Sequence, residues 1–260
     1  MKKLFIPEPL TDVITIPKDL THHLVCVFRH DLSKPIMVSG SDKRTGSYQI
    51  DSIMDDKANA HVIAYLENES DFEHVEIVLV QAFLKADKFE WVLQKATEIG
   101  VDTIYGVATQ NCVARYEDKK LKVKVERWKK ILQEASQQCG RATLPDLLVE
   151  PSLREILDIE KDSLCLLADV DELELTLKEI LKKAKNNRTQ PIIDNDANRN
   201  VQNPLRIVVF IGPEGSFSQN ELALFKEKEV PFVSLGRHIL RAETAAIVAV
   251  SIINYEMNIN

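Results

Sequence analysis

The sequence predicts an α/β protein whose carboxy-terminal part is a covered, largely parallel sheet, preceded by a small β-rich domain. Three observations carry this expectation. Arg206-Ile207-Val208-Val209-Phe210 and Pro231-Phe232-Val233-Ser234 are short runs of β-branched and aromatic residues bounded by Gly and Pro, the pattern of strands buried on both faces. Each run ends in a glycine-bearing turn, Ile211-Gly212-Pro213-Glu214-Gly215-Ser216 after the first and Leu235-Gly236-Arg237-His238-Ile239-Leu240-Arg241 after the second. Between them, Ser218 followed by Glu221 has the spacing of a capping box, so a helix is expected from there to about Glu229. Gly212 and Gly215 remove side chains where the backbone bends tightly or approaches a ligand, and Pro213 stiffens the turn. Two such turns at the carboxyl ends of neighbouring strands are where open α/β sheets bind ligands.

The chain has 260 residues, enough for two domains or one large one, with 45% hydrophobic and 28% charged residues. The start, Met1-Lys2-Lys3-Leu4-Phe5-Ile6-Pro7, lacks the sustained apolar run of a signal peptide, and the most apolar stretch, Ala245 to Ile253, is too short to span a bilayer. Cys26, Cys112, Cys139 and Cys165 are scattered, without a Cys-x-x-Cys pair. They read as reduced thiols of a cytoplasmic protein, and no metal site is expected. The net charge of −7 argues against a surface coated for nucleic acid, yet twelve bases face eight acids between Lys85 and Arg141. That stretch is basic in an acidic chain, and placement decides binding.

Residues 1–72 carry the strand candidates Pro35 to Val38, Ser47 to Met54 and Ala60 to Leu66, separated by turn-rich segments. An amphipathic helix is expected over Leu20 to Arg29. His22, His23 and His30 surround it without an acidic or Cys partner at ligand spacing. Arg29, His30, Lys34, Lys43 and Arg44 form either a basic rim or an ordinary solvated surface. The acidic run Glu67, Glu69, Asp71, Glu73 and Glu76 marks the boundary to a second domain, residues 73–260. There, Ile77 to Phe83 reads as a strand and Asp87 to Ile99 as a helix with Phe89, Val92, Leu93, Ala96 and Ile99 on one stripe and Gly100 as its cap. Thr103 to Val107 is a strand, Lys119 to Cys139 a lysine-rich helix, Leu164 to Ala168 a strand and Leu173 to Ala184 a helix. Residues 185–203, rich in Asn, Asp, Gln and Arg, read as a mobile surface insertion. The last helix, Thr244 to about Met257, is apolar nearly all round and so is buried, within the domain or against another subunit.

No nucleophile elbow, Walker lysine or His-Glu-x-x-His helix is present, and Gly212-x-x-Gly215 lacks what a phosphate cradle needs. The residues alone lead to an α/β protein with a crevice built from 212–216 and 235–243.

Six ordered segments then carry a resemblance: Leu79-Val80-Gln81-Ala82, Lys85-x-Asp87-Lys88-x-Glu90-Trp91, Gln94-Lys95-Ala96-Thr97-Glu98-x-Gly100, Glu134-Ala135-x-x-Gln138-x-Gly140-Arg141, Ile211-Gly212-Pro213-Glu214-Gly215 and Ser234-Leu235-Gly236-x-x-Ile239-Leu240-Arg241-x-Glu243-Thr244-Ala245. Together they resemble the RsmE family of 16S rRNA uridine-N3 methyltransferases, within the SPOUT superfamily. The resemblance implies a PUA-like β-barrel for RNA at the amino terminus and, at the carboxy terminus, an α/β SPOUT-like domain with a trefoil knot. It implies S-adenosyl-L-methionine as cofactor, held by Leu167, Ala168, Ile211, Gly212, Pro213, Glu214, Gly215, Leu235, Gly236, Ile239, Leu240 and Ala245. Arg241 and Glu243 take the catalytic roles, Arg241 binding substrate or stabilising the developing uracil anion and Glu243 orienting groups rather than acting as base. RNA is expected at Arg29, Lys43, Arg44, Lys85, Lys88, Arg115 and Arg141. The partners implied are 16S rRNA in the small ribosomal subunit and a second copy of the chain in a homodimer, with no membrane.

The sequence departs from the family pattern at three places: Ser216 stands where a third glycine is usual, Arg237-His238 where Pro-Arg is usual, and Ala242 where Thr is usual. Serine suits most turn geometries except positive φ, so only a small local change is expected at 216. Three other readings remain: a SPOUT methyltransferase acting on another RNA site or on tRNA, a non-catalytic RNA-binding assembly factor, and a nucleotide-binding regulatory protein.

Overall fold

A computed structural model describes residues 3–66, 75–85, 87–141, 143–149, 152–172, 175–188 and 205–258. The chain folds as two compact units, residues 1–71 with 133–144, and residues 72–132 with 145–260.

The first unit is a five-stranded sheet of β1 (Lys3–Phe5), β2 (Val13–Ile16), β3 (Ile36–Ser39), β4 (Thr45–Met54) and β5 (Lys57–Leu66), in the order β1-β3-β4-β5-β2. β1 runs parallel to β3, and the other pairs are antiparallel. Strands β1 and β2 are absent from the sequence expectation because three or four residues are too few to show a period. β2 nonetheless alternates, with Ile14 and Ile16 buried and Val13 and Thr15 exposed. The β4–β5 hairpin turns on Asp55 and Asp56, both at positive φ (51° and 62°), which suits the right-handed twist of the strands. The expected helix over Leu20 to Arg29 is corrected: α1 (Lys18–His22) starts earlier and continues as a π-helical turn, His23–Val27. Leu4, Ile16, Leu24, Ile36, Val38 and Tyr48 pack at the centre of this unit.

In the second unit, six parallel strands lie in the order β11-β9-β10-β6-β7-β8: β6 (Glu76–Ala82), β7 (Thr103–Val107), β8 (Asp146–Val149), β9 (Leu164–Ala168), β10 (Arg206–Ile211) and β11 (Phe232–Val233). Strand residues alternate between two cores. Ile77, Leu79, Ile104, Leu166, Ile207 and Val209 face helices α2 (Asp87–Ile99), α3 (Asp118–Cys139), α5 (Leu177–Arg188) and α7 (Ala242–Met257). Val78, Val80, Tyr105, Leu167, Val208 and Phe210 face α4 (Leu153–Ile159) and α6 (Gln219–Glu227). Both faces are thus covered, which is why these strands read as continuous apolar runs. Phe89 of α2 and Trp128 of α3, with ring centroids 4.7 Å apart, pack the two helices together.

Several boundaries match the sequence signals. Gly100 ends α2 at φ +108°, donating to the carbonyls of Ala96 and Thr97. Ser218 and Glu221 cap α6 reciprocally. Other boundaries are corrected. α5 begins at Leu177 and not Leu173, because Thr176 and Glu179 form a capping pair. Residues Lys185 to Arg188, expected in the insertion, are the end of α5, and 189–203 lie outside the described residues. Glu67 to Glu73 of the acidic run also lie outside them, while Glu76 opens β6. β8 and α4 have no counterpart in the sequence expectation. β8 is an edge strand with half its side chains exposed, so no apolar run marks it.

Candidate active site

The expectation that the two glycine turns follow neighbouring strands is corrected. β11 pairs with β9 and not with β10, so the end of β9 lies between them. The turns therefore flank Ala168, Asp169 and Val170, and together they enclose a two-lobed crevice at the carboxyl ends of the strands. The larger lobe, about 450 Å³, is lined by residues 211–214, 216 and 217, by residues 239–242 and 245, and by Lys88 and Leu222. The smaller, about 60 Å³, is lined by 235–240. Both share Ala168, Asp169, Val170, Ile239, Leu240 and Ala245.

Of the residues expected around a cofactor, Ala168, Ile211, Gly212, Pro213, Glu214, Leu235, Gly236, Ile239, Leu240 and Ala245 line the crevice. Leu167 does not: strand alternation turns it into the core under α4 and α6, fully buried. Gly215 packs instead against Asn111, where a Cβ would lie 3.2 Å from the Asn111 Cβ. Asp169, Val170, Phe217 and Leu222 line the crevice without having been expected there. The carboxyl-end rule for strands would have pointed to Asp169, which directly follows β9.

The two glycines are required for different reasons. A Cβ on Gly212 would meet the Phe217 ring at 3.2 Å. Gly236 has open space around its would-be Cβ but adopts φ +137°, a conformation that L side chains avoid. Ser216 is the finding that differs most from expectation: it sits at φ +58°, in the one region serine tolerates poorly. Neighbouring bonds hold it there. The Asn111 amide donates to the carbonyls of Gly215 (3.0 Å) and Ser216 (3.1 Å), and the Ser216 N–H donates to the Pro213 carbonyl. The same loop is fastened to α6, since Glu221 accepts the Gln110 N–H at 2.8 Å.

The charges are arranged around α7. Arg241 is its N-cap residue and lines the larger lobe. Its guanidinium makes no hydrogen bond or ion pair among the described residues. Glu243, in the first turn, is bonded to Lys88 of α2 at 3.1 Å. Burial alone would raise the Glu243 carboxyl, but its own backbone N–H, Lys88 and Arg241 more than offset this and hold it below the ordinary range. Glu243 is therefore an ionised, committed carboxylate. Lys88 also lies 3.7 Å from Glu214.

The other expected RNA residues occupy varied settings. In the first unit, Arg29 and Lys43 are exposed at positive φ, and Arg44 pairs with Asp42 at 2.6 Å, donates to the Leu10 carbonyl and stacks over the Tyr65 ring. Arg141 donates to the Thr143 carbonyl. In the second unit, Lys85 is exposed and gives its backbone N–H to Glu214, and Arg115 donates to the Gln110 carbonyl.

Comparison with known proteins agrees with this fold. A small-subunit ribosomal RNA methyltransferase E of Bacillus subtilis is 27% identical over 242 residues, covering 93% of this chain and 90% of that protein. The crystal structure of a small-subunit ribosomal RNA methyltransferase E from Neisseria gonorrhoeae, bound to S-adenosyl methionine, has the same fold. Its TM-score is 0.77 at 24% identity, over 98% of this chain and 97% of that one. A methyltransferase from Legionella pneumophila, also with SAM bound, reaches 0.75 at 24% identity over 97% and 96%. The model of the RNA methyltransferase domain matches residues 71–254, which take in the whole parallel sheet and the crevice, and this chain belongs to that RNA methyltransferase family.

Proposed function

We propose that the chain methylates N3 of a uridine in 16S ribosomal RNA, using S-adenosyl-L-methionine held in the two-lobed crevice. The observation that carries the reading is that crevice: a glycine-walled cavity of about 450 Å³, within the usual range for small-molecule sites, lined by Arg241, whose guanidinium makes no hydrogen bond or ion pair among the described residues. Gly236 adds to the fit, because the space a Cβ would fill is open. The names of the relatives supply the substrate class. We also read the first unit as a PUA-like RNA-binding barrel, the carboxy-terminal part as a SPOUT domain with a trefoil knot, and the working form as a cytoplasmic homodimer.

When bound, the cofactor would supply an electrophilic sulfonium methyl for transfer to uracil N3, leaving as the neutral thioether while the N3 proton passes to solvent. N3 lies on the pairing edge, so the target base must be unpaired or turned out of its stack. This chain's residues contribute mainly alignment, worth about 7–11 kcal/mol in favourable cases. The 212–217 and 235–240 turns and Ala168 to Val170 hold the cofactor. Arg241 faces the substrate side and offsets the negative charge that develops on the uracil as N3 loses its proton. Glu243, already ionised and bonded to Lys88, orients this end of α7 and does not take the proton. Arg29, Lys43, Arg44, Lys85, Arg115 and Arg141 are the residues we assign to RNA.

Calorimetry with S-adenosylmethionine, and mass spectrometry of 16S rRNA from a strain lacking the gene, test the reading. We expect heat on titration and one unmethylated uridine in the deletion strain. Binding without a lost methyl group would favour another RNA site, and neither result would leave an RNA-binding assembly factor.

A further inference from the structure

We propose that Lys88 is a positioning residue of the methyl-transfer site, holding the Gly212–Ser216 turn and the first turn of α7 in a fixed relation. The inference rests on the cofactor reading above for its functional consequence and on geometry for its structural one. The Lys88 ammonium lies 3.1 Å from Glu243 Oε1, on α7, and 3.7 Å from Glu214 Oε1, in the turn. It also forms part of the wall of the larger lobe. The same Glu214 oxygen accepts the Lys85 N–H at 3.3 Å, so the turn is tied to the start of α2 by one hydrogen bond and one ion pair.

The anchor is rigid. Lys88 stands in the first turn of α2, whose Phe89, Val92, Leu93 and Ala96 are fully buried against the sheet. The two groups it joins belong to separate stretches of chain, with α6 and β11 between them. Two carboxylates facing one ammonium repel each other once the ammonium is gone, which would push the turn and the helix start apart. Arg241 caps the same helix, so a shift there displaces the guanidinium on the substrate side. An ammonium shared between two carboxylates is also poorly suited to neutralise a phosphate, and this separates Lys88 from the exposed cations.

The test compares full-length Lys88→Met and Lys88→Arg with wild type. In Lys88→Met we expect faster hydrogen exchange in residues 212–216 and 241–245, weaker S-adenosylmethionine binding, and kcat on rRNA lower by about tenfold or more. The KM for rRNA and its salt dependence should stay unchanged, and Lys88→Arg should restore most of the loss. Unchanged exchange in both segments overturns the proposal. So does a KM that rises alone with a flatter salt dependence, which would make Lys88 a phosphate contact. If Lys88→Met does not fold, Glu214→Gln removes one arm of the bridge. Faster exchange in 212–216 then supports the proposal, and unchanged exchange overturns it. Should wild type bind no S-adenosylmethionine, the cofactor reading fails, while the exchange comparison still decides the role of Lys88.

Discussion

Lys88 and Glu243 meet at 3.1 Å in the first turns of α2 and α7, and the same interval further along both helices Asn254 donates to the Ile99 carbonyl at 2.6 Å. The two helices therefore run parallel and in step, with both amino termini at the crevice end of the sheet. Their partial positive charges add to those of Lys88 and Arg241 there. Asn254→Ala would leave the Ile99 carbonyl without its partner at the end of α2. We expect a loss of about 1–3 kcal/mol in denaturant unfolding, with the m-value unchanged.

At the opposite, amino-terminal edge of the sheet, Arg206 grips Glu160 through two bonds of 2.8 and 3.0 Å and reaches Glu76 as well. Tyr105 and Ser163 donate to the same Glu160 carboxylate. Glu160 is 3% exposed, while Arg206 is 29% exposed and keeps Glu76, so removing the Glu160 carboxylate should cost about 1–3 kcal/mol. Glu160→Ala tests this by thermal or denaturant unfolding.

The same carboxylate gives a pH dependence. Burial pushes the Glu160 carboxyl up, but the bonds from Arg206, Ser163 and Tyr105 outweigh it and leave it below the ordinary glutamate range. A depressed folded-state value means stability that is present above the unfolded value and lost as pH falls through the folded one. Wild type should therefore lose stability on acidification below the ordinary glutamate range, and Glu160→Gln should show a shallower loss over the same interval.

Gly212 and Gly236 should fail separately when replaced. Gly212→Ala acts through the Phe217 ring, so adding Phe217→Leu should recover part of the lost cofactor affinity. Gly236→Ala acts through a backbone at φ +137°, and no second substitution nearby should rescue it. Calorimetry on the two singles and the double separates these outcomes. Unchanged affinity in both singles would mean the cofactor lies elsewhere.

Ser216→Gly relieves a left-handed residue at the cost of extra freedom in the unfolded chain, so the gain should be at most about 1 kcal/mol. Asn111→Ala, which removes the bonds holding Ser216, should be tolerated better in the Ser216→Gly background than in wild type. Equal effects in the two backgrounds would show that Asn111 does not hold the strained turn.

For RNA, Arg115→Ala and Arg141→Ala should each weaken binding across sequences and lower the salt slope by about one. Cofactor affinity should stay close to wild type. Methylation at wild-type rates over a range of salt in both variants would place the RNA elsewhere.

Local sequence sufficed for the parallel α/β sheet, the α6 capping box, the Gly100 stop and both glycine turns. These follow from short-range physics: continuous runs of β-branched and aromatic residues, the reach of a Ser or Glu side chain to nearby N–H groups, and the φ range open to glycine. The motifs likewise pointed to the crevice. Sequence could not decide what depends on which strands become neighbours. β9 takes the place between β10 and β11, and this brings Asp169 and Val170 into the crevice. Lys88 read as an RNA-binding cation, because its partners Glu214 and Glu243 are more than a hundred residues away in the chain. Ser216 read as bringing only a small local change, because its positive φ goes with bonds from Asn111 across the fold as well as with the local bond to Pro213. Long-range pairing fixed these features, and a side chain's role at a site depends on the partners that the folded chain gives it.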